Sequence, residues 1–466
     1  MYFGLSVGLQ LLDVSFISLV LQSTSFMSCF VSASPGLGGN AYGGAVSVYA
    51  GAYYSVISSG VFSAAAVDDT LVRNVSVTLN SASFSFCSAT RTSTSTSFGA
   101  NVFGGAFSLY IGAYAWSTSN GGGGSSSNSG STTAIGVSVT VSNTRSSNCS
   151  ATSLNNASSG SGSYGANAFG GSMSLVYIGA YAWSYAFQAE SSSLSGVTTA
   201  RDISVSLTDV ASSSCVAATT YFDGTASDNA VNGATSLGGS TSVLYVGAHV
   251  YSATDHTSVG YSSTSASRAT TASSINLSIT NASFTDCSAA ISMTFPSNQT
   301  SIGSIVSNSF GGSLSILHLG AYAWSASDLS TSSASGATSA TNVSVSVSNS
   351  KSVRSHAVVT TNAISGGNYE YGEARGAGSF GGSMSVVHVG AQVMSRSVGD
   401  SSSTFSAATC GPTSVTGLSL VIKNSTFTDS LASSRAYFAL LISVVLLHSR
   451  SPVTQKQKEE ILGAPM

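Results

Sequence analysis

The chain predicts an all-β fold built as a stacked repeat, and three observations carry that expectation. One pattern recurs six times: an aromatic or apolar residue, two glycines, then an apolar stretch that closes on Gly-Ala. It reads AYGGAVSVYAGAYYS from Ala41, VFGGAFSLYIGAYAWS from Val102 and AFGGSMSLVYIGAYAWS from Ala168. It returns as SLGGSTSVLYVGAHVYS from Ser236, SFGGSLSILHLGAYAWS from Ser309 and SFGGSMSVVHVGAQVMS from Ser379. A second motif alternates with the first, and its spacing of roughly 60–75 residues marks a solenoid, not a body assembled once. The third observation is composition. Only 7 % of residues are charged while 42 % are hydrophobic and 9 % aromatic, enough apolar surface to bury a core and too little charge for an ordinary soluble surface.

The second motif is clearest at Ile275–Ala289, INLSITNASFTDCSA. Its relatives begin at Val14, Asn74, Val137, Ile203, Asn342 and Leu418. Each opens on strict alternation: Val343, Val345 and Val347 face one way, while Ser344, Ser346 and Ser348 face the other. A period of two, rich in β-branched residues, predicts a strand with one buried face. A turn residue follows (Asn, Ser or Asp in most copies), then a short segment ending at a cysteine register. Cys29, Cys87, Cys149, Cys215 and Cys287 occupy that register, and Ser355 and Ser430 take it later. Phe26, Phe84, Phe284 and Phe427 stand three residues before it. Cys410 stands alone. None of the six cysteines is in a CxxC pair, which argues against a zinc site.

Between the motifs lie Ser117–Thr133, Ser158–Asn167 and Thr92–Ser97, whose Ser, Gly and Thr content predicts long exposed loops. Helix is disfavoured by the density of Val, Ile, Tyr and Phe and by the interrupting glycines. The uncharged run Ala168–Phe187 also suits a membrane-spanning helix, so a polytopic membrane protein is an alternative reading. Residues 1–435 are expected to form one repeat domain that opens partway through a repeat, as an N-terminally truncated chain would. Residues 436–466 hold the apolar segment Ala436–His448 and a polar tail, read as a cap, an artefact or part of an anchor; membrane attachment is left open. No basic n-region marks a signal peptide.

The paired motifs, F-x-x-C-x-A followed by G-G-[AS]-apolar, resemble the polymorphic outer membrane protein repeat, written F-x-x-N-x-A and G-G-A-[ILV]. The matches are Phe84, Cys87 and Ala89 with Gly104–Phe107, and Phe284, Cys287 and Ala289 with Gly311–Leu314. The resemblance implies a right-handed parallel β-helix, about one coil per repeat, with three strands per coil. It also implies a structural or adhesive role outside the cell or at its surface, with glycans or surface and matrix proteins as partners. Cys or Ser stands where that family has Asn, which weakens the case for stacked amide ladders.

If each repeat is one coil, equivalent residues lie about 4.8 Å apart and form columns. Tyr49, Tyr110, Tyr177, Tyr245, His318 and His388 make one column. Tyr53, Tyr114, Tyr181, His249, Tyr322 and Gln392 make another, beside Trp116, Trp183, Tyr251 and Trp324. Stacked rings stabilise a solenoid, and the cysteines are expected as buried thiols, so both sets are read as structural ladders. The histidines, standing at tyrosine registers, are read as packing residues and not metal ligands. Trp116, Trp183 and Trp324 are the candidate glycan platform.

Chemistry has thin support. Catalysis on a sugar chain needs carboxylates converging from neighbouring coils. Asp286 and Asp429 share a register but Arg354 lies between them, and Asp202, Asp209, Asp223 and Asp228 have no matching acids in adjacent repeats. The Gly-Gly pairs lack the lysine of a phosphate loop and are expected to turn a corner against the next rung. No enzyme activity, cofactor or metal is therefore expected. A net charge of −3 without a basic run excludes nucleic acid as an expected partner. A carbohydrate-active or glycan-binding β-helix of the pectin-lyase-like type is the other alternative.

Overall fold

The computed structural model describes residues 4–5, 13–33, 40–93, 101–157, 167–187, 191–223, 235–255, 263–295, 308–328, 331–363, 378–398 and 406–435. Ala436–His448 with the tail, Asp228, and most of the Ser158–Asn167 and Thr92–Ser97 stretches lie outside the described residues. Among the described residues every regular element is a strand and every strand pairing is parallel. The chain is a parallel β-helix. Ala168–Phe187 belongs to strands Asn167–Phe169 and Met173–Phe187. No helix among the described residues is long and apolar enough to cross a membrane.

One coil runs through Thr132–Ser142, Arg145–Ser147, Ser150–Ala157, Asn167–Phe169, Met173–Phe187 and Ser191–Ser195. The next coil opens at Thr198, which pairs with Thr132. A coil thus contributes six strands to five sheets of 11, 9, 7, 7 and 6 strands, not the three strands expected. The excess arises because the coil is not a simple triangle. It is a central lobe with two flattened arms, each arm made of an outgoing and a returning strand.

The central lobe follows from the alternation. Val137, Val139 and Val141 point inward and are buried, and Ser138, Thr140 and Ser142 face outward. They pack against Phe107, Leu109, Ile111 and Ala113 and their equivalents in one continuous core. Two corners close the lobe, each a single residue in the left-handed region: Asn143 at φ 49° and Asn148 at φ 52°. Asn and Asp dominate the first corner (Asn143, Asp209, Asn281, Asn349, Asn424), where a short polar side chain tolerates that backbone.

The double glycine forms the neck between the lobe and the first arm. Gly170 turns at φ +60°, and a Cβ on Gly171 would lie 2.0 Å from the Gly239 carbonyl oxygen and 2.4 Å from Val216 N. The neck therefore places the backbone of one strand directly against the residue that follows the cysteine register. In the first arm Ala89 and Ala151 face Ala41 and Val102. Later coils substitute serine there, and Ser236 Oγ donates to the Ala217 carbonyl at 2.6 Å and Ser309 Oγ to Ala289 at 2.8 Å.

The second arm overturns a sequence expectation. Ser117–Thr133 is not an exposed loop: strand Phe107–Ser129 runs through most of it, and Ser117, Ser119, Ser125, Ser127 and Ser129 are all buried. Ser117 Oγ meets Ser127 Oγ at 2.6 Å across the arm, and Ser127 Oγ donates to the Ser117 carbonyl at 2.8 Å. One coil on, Ser184 Oγ lies 2.7 Å from Ser193 Oγ and 2.8 Å from Ser195 Oγ. Ser325 with Ser333 and Ser335 repeats the pattern at 2.8 Å. A hydroxyl is donor and acceptor at once, so these paired serines satisfy one another across a thin arm, while Ser119 Oγ and Ser129 Oγ are buried without a partner.

The neck gives a direct test. Gly171→Ala is expected to destabilise by about 1–3 kcal/mol or more, because backbone on both sides must move. Gly136→Asn, at a left-handed position filled by Asn74 and Asn342 in other coils, should change stability by less than about 0.5 kcal/mol. Urea unfolding midpoints of the two variants check both values.

Candidate functional site

The outer face of the longest sheet gathers the aromatic residues. Along Phe107–Ser129 the inward residues are Ile111, Ala113, Ala115 and Ser117, so Tyr110, Gly112, Tyr114 and Trp116 point outward. The glycine column is obligatory: a Cβ on Gly112 would come within 1.8 Å of the Gly179 carbonyl oxygen of the next coil. Rings on either side cover this bare strip of backbone, as aromatic neighbours do for glycines in sheets.

The first ring column stacks with centroids 4.6 Å apart for Tyr49–Tyr110, 4.9 Å for Tyr177–Tyr245 and 5.1 Å for Tyr245–His318. The step from Tyr110 to Tyr177 is longer, at 5.7 Å and tilted by 41°. Its cause is a bulge: Tyr110 pairs with Val176 and Ile111 with Ile178, leaving Tyr177 as an extra residue at φ 51°. Tyr245, His318 and His388 adopt the same backbone at φ 53–56°. The Tyr114 hydroxyl donates to the Tyr177 carbonyl and holds the bulge.

Tyr110 is only 2 % exposed, because a further column lies across it. Tyr42, Phe103 and Phe169 stack at 5.2 and 4.8 Å, and Tyr42 and Phe103 meet Tyr110 edge-on. These are the residues that open each double-glycine motif. Their repetition was visible in the sequence, but nothing in a linear pattern places them against the tyrosines.

The tryptophan column remains accessible. Trp116 and Trp183 stack at 4.9 Å, Trp183 and Tyr251 at 3.8 Å, and Tyr251 meets Trp324 at 4.4 Å across 69°. All four rings are half-buried. Trp116 Nε1 donates to Thr118 Oγ1 at 2.8 Å, whereas the Trp324 indole N–H has no partner.

Burial sets the electrostatics of this face. Desolvation pushes the hydroxyls of Tyr110, Tyr114, Tyr177 and Tyr181 well above the usual phenol range. It pushes His249 down to about 3 and His318 down to about 2, with the neighbouring histidines adding to the effect on His318. His388, at the exposed end, is lowered by the same cause. These imidazoles are neutral at ordinary pH.

Cys87, Cys149, Cys215 and Cys287 are fully buried beneath the neck, Cys29 is half-buried, and all are free thiols, as is the exposed Cys410. Cys149 Sγ and Cys287 Sγ each donate to the carbonyl two residues back at 3.4 Å. Hydrogen bonding to Cys149, together with burial, pushes the thiols of Cys87 and Cys215 up. Where serine takes the register it needs a polar partner, and Ser355 Oγ lies 2.5 Å from Ser313 Oγ. The serine after the double glycine supplies it.

Among the described residues the acids do not converge. Arg354 binds Asp286 through Nε at 2.6 Å and Nη2 at 2.8 Å on the surface. Asp209 accepts from Asn281 Nδ2 at 3.0 Å, Asp69 from the Ser131 N–H at 2.6 Å, and Asp202 pairs with Arg201 at 3.2 Å. Each joins neighbouring coils or a sequence neighbour. No family model, no curated protein and no solved structure matches this chain.

The buried His249 has an acid-stability consequence. In the unfolded chain it takes a proton below pH 6.5, whereas folded it stays neutral to about 3 among Tyr245, His318 and Tyr322. Stability is therefore complete above pH 6.5 and falls as the pH drops below it, by about 1.4 kcal/mol per unit. His318 adds the same effect, so urea midpoints at pH 7.5 and 4.5 should differ by at least this much, and His249→Phe should make this part of the profile shallower.

Proposed function

We propose that the protein is a non-catalytic structural or adhesive β-helix acting outside the cell or at its surface. It works as a rigid rod that meets a repeating partner through many equal, weak contacts. The observation that carries this reading is the column Trp116, Trp183, Tyr251 and Trp324, which offers one half-buried ring per coil on an almost uncharged face. The rings stack on one another and present their edges at a regular step, which suits the repeating C–H and hydroxyl positions along an extended sugar chain, so a polysaccharide is the partner class. The resemblance of the paired motifs to the polymorphic outer membrane protein repeat supports the same role.

Multivalency makes the reading quantitative. Each aromatic contact is worth about 0.5–1.5 kcal/mol, too little to hold a ligand alone, but three or four in one column reach useful affinity. Binding of the full chain to an array of polysaccharides is the test. The triple variant Trp116→Ala, Trp183→Ala, Trp324→Ala should bind at least tenfold more weakly, with the strand signal in circular dichroism unchanged. Equal binding by the variant would overturn the platform. Release of shortened sugar chains would overturn the non-catalytic assignment in favour of a carbohydrate-active β-helix.

A further inference from the structure

The first ring column changes chemistry at its far end, where His318 and His388 follow Tyr245. Their packing changes too. Tyr245 and His318 stack nearly flat, 7° apart, but His318 and His388 are tilted by 58° although their centroids are only 4.6 Å apart. The tilt forfeits face-to-face stacking and brings the two Nδ1 atoms to 3.2 Å. Two nitrogens held at about 2.0–2.1 Å by one tetrahedral zinc ion stand about 3.3 Å apart. The separation is already that of a metal chelate.

The surroundings supply what such a site needs. A cavity of about 210 Å³ lies over Gly320 and Gly390 and is lined by both histidines, His249 and Gln392. Gln392 stands where other coils carry a tyrosine or histidine, and its Oε1 is buried with no partner. His249 is 2 % exposed, and neither of its ring nitrogens has a side-chain partner. His388 is exposed, which leaves a path for an ion from solvent.

We propose that His318 and His388 form a bis-imidazole zinc site on the outer face of the long sheet. The ligands are the two Nδ1 atoms, with Gln392 Oε1 and water completing the shell. Among the described residues no group of three or more His, Cys, Asp or Glu forms a complete metal cluster, so the site is open and of modest affinity. Without metal, one Nδ1–H donates to the other Nδ1 and holds the pair ready. On binding, that proton moves to Nε2 of the same ring through solvent, both Nδ1 lone pairs pass to zinc, and the protein loses no net proton. Imidazole pairs also take copper and nickel, which should compete.

Isothermal titration of zinc chloride into the full chain at pH 7.5, without chelator, is the test. His318→Phe and His388→Phe keep a ring in the column, and each should weaken zinc binding at least tenfold, whereas His356→Phe should leave it unchanged. Wild-type protein that takes up no zinc, or variants within twofold of it, would overturn the site. Cobalt(II) loading of wild-type protein reads the same site without relying on a variant. Intense visible absorption of a four-coordinate ion is expected, and the weak spectrum of a six-coordinate ion would overturn the assignment.

Discussion

Parallel, in-register hydrogen bonding from coil to coil is the constraint on which everything else rests. Thr132 lies on Thr198, Val139 on Val205 and Gly112 on Gly179, so each residue must tolerate its own counterpart one strand step away. Charges of one sign fail that test, because like neighbours repel at about 4.8 Å. Rings, small hydroxyls, thiols and aliphatic chains pass it. The low charge of the chain is thus a consequence of the architecture. Arg354 between Asp286 and Asp429 shows how charge is admitted where it occurs, by alternation along one column.

Much of the central lobe was legible before any coordinates. The Val343, Val345, Val347 alternation named a strand and its buried face, and the double glycine named a corner in close contact. The arms were less legible because their interiors are polar. Ser117 and Ser127 look like loop residues under any hydrophobic measure, yet they are buried by pairing with one another. A signal was present all the same: serine at every second position, repeated at Ser184, Ser193, Ser195 and Ser252. Period two with hydroxyls in place of aliphatic chains still marks a strand.

The outer aromatic face shows the reverse difficulty. Its columns could be aligned by eye, but depth could not. Tyr110 and Trp116 are equally prominent in sequence, and only the Tyr42–Phe103 stack decides that the first is covered while the second stays accessible. The histidines that continue the tyrosine column were readable as ring replacements. Their mutual tilt, which turns a packing position into a pair of converging nitrogens, has no counterpart in the letters.

The extra residue at Tyr177 also divides the array into two kinds of coil. Coils carrying it share another trait, serine after the double glycine (Ser172, Ser240, Ser313, Ser383). The two coils before it have Ala45 and Ala106 at that place. Two characters therefore change together at one boundary, and the bulged coils form a type of their own. The junction between Tyr110 and Tyr177 is where the rod passes from one coil type to the other, and the mismatch between them is taken up by the longer, tilted ring step there.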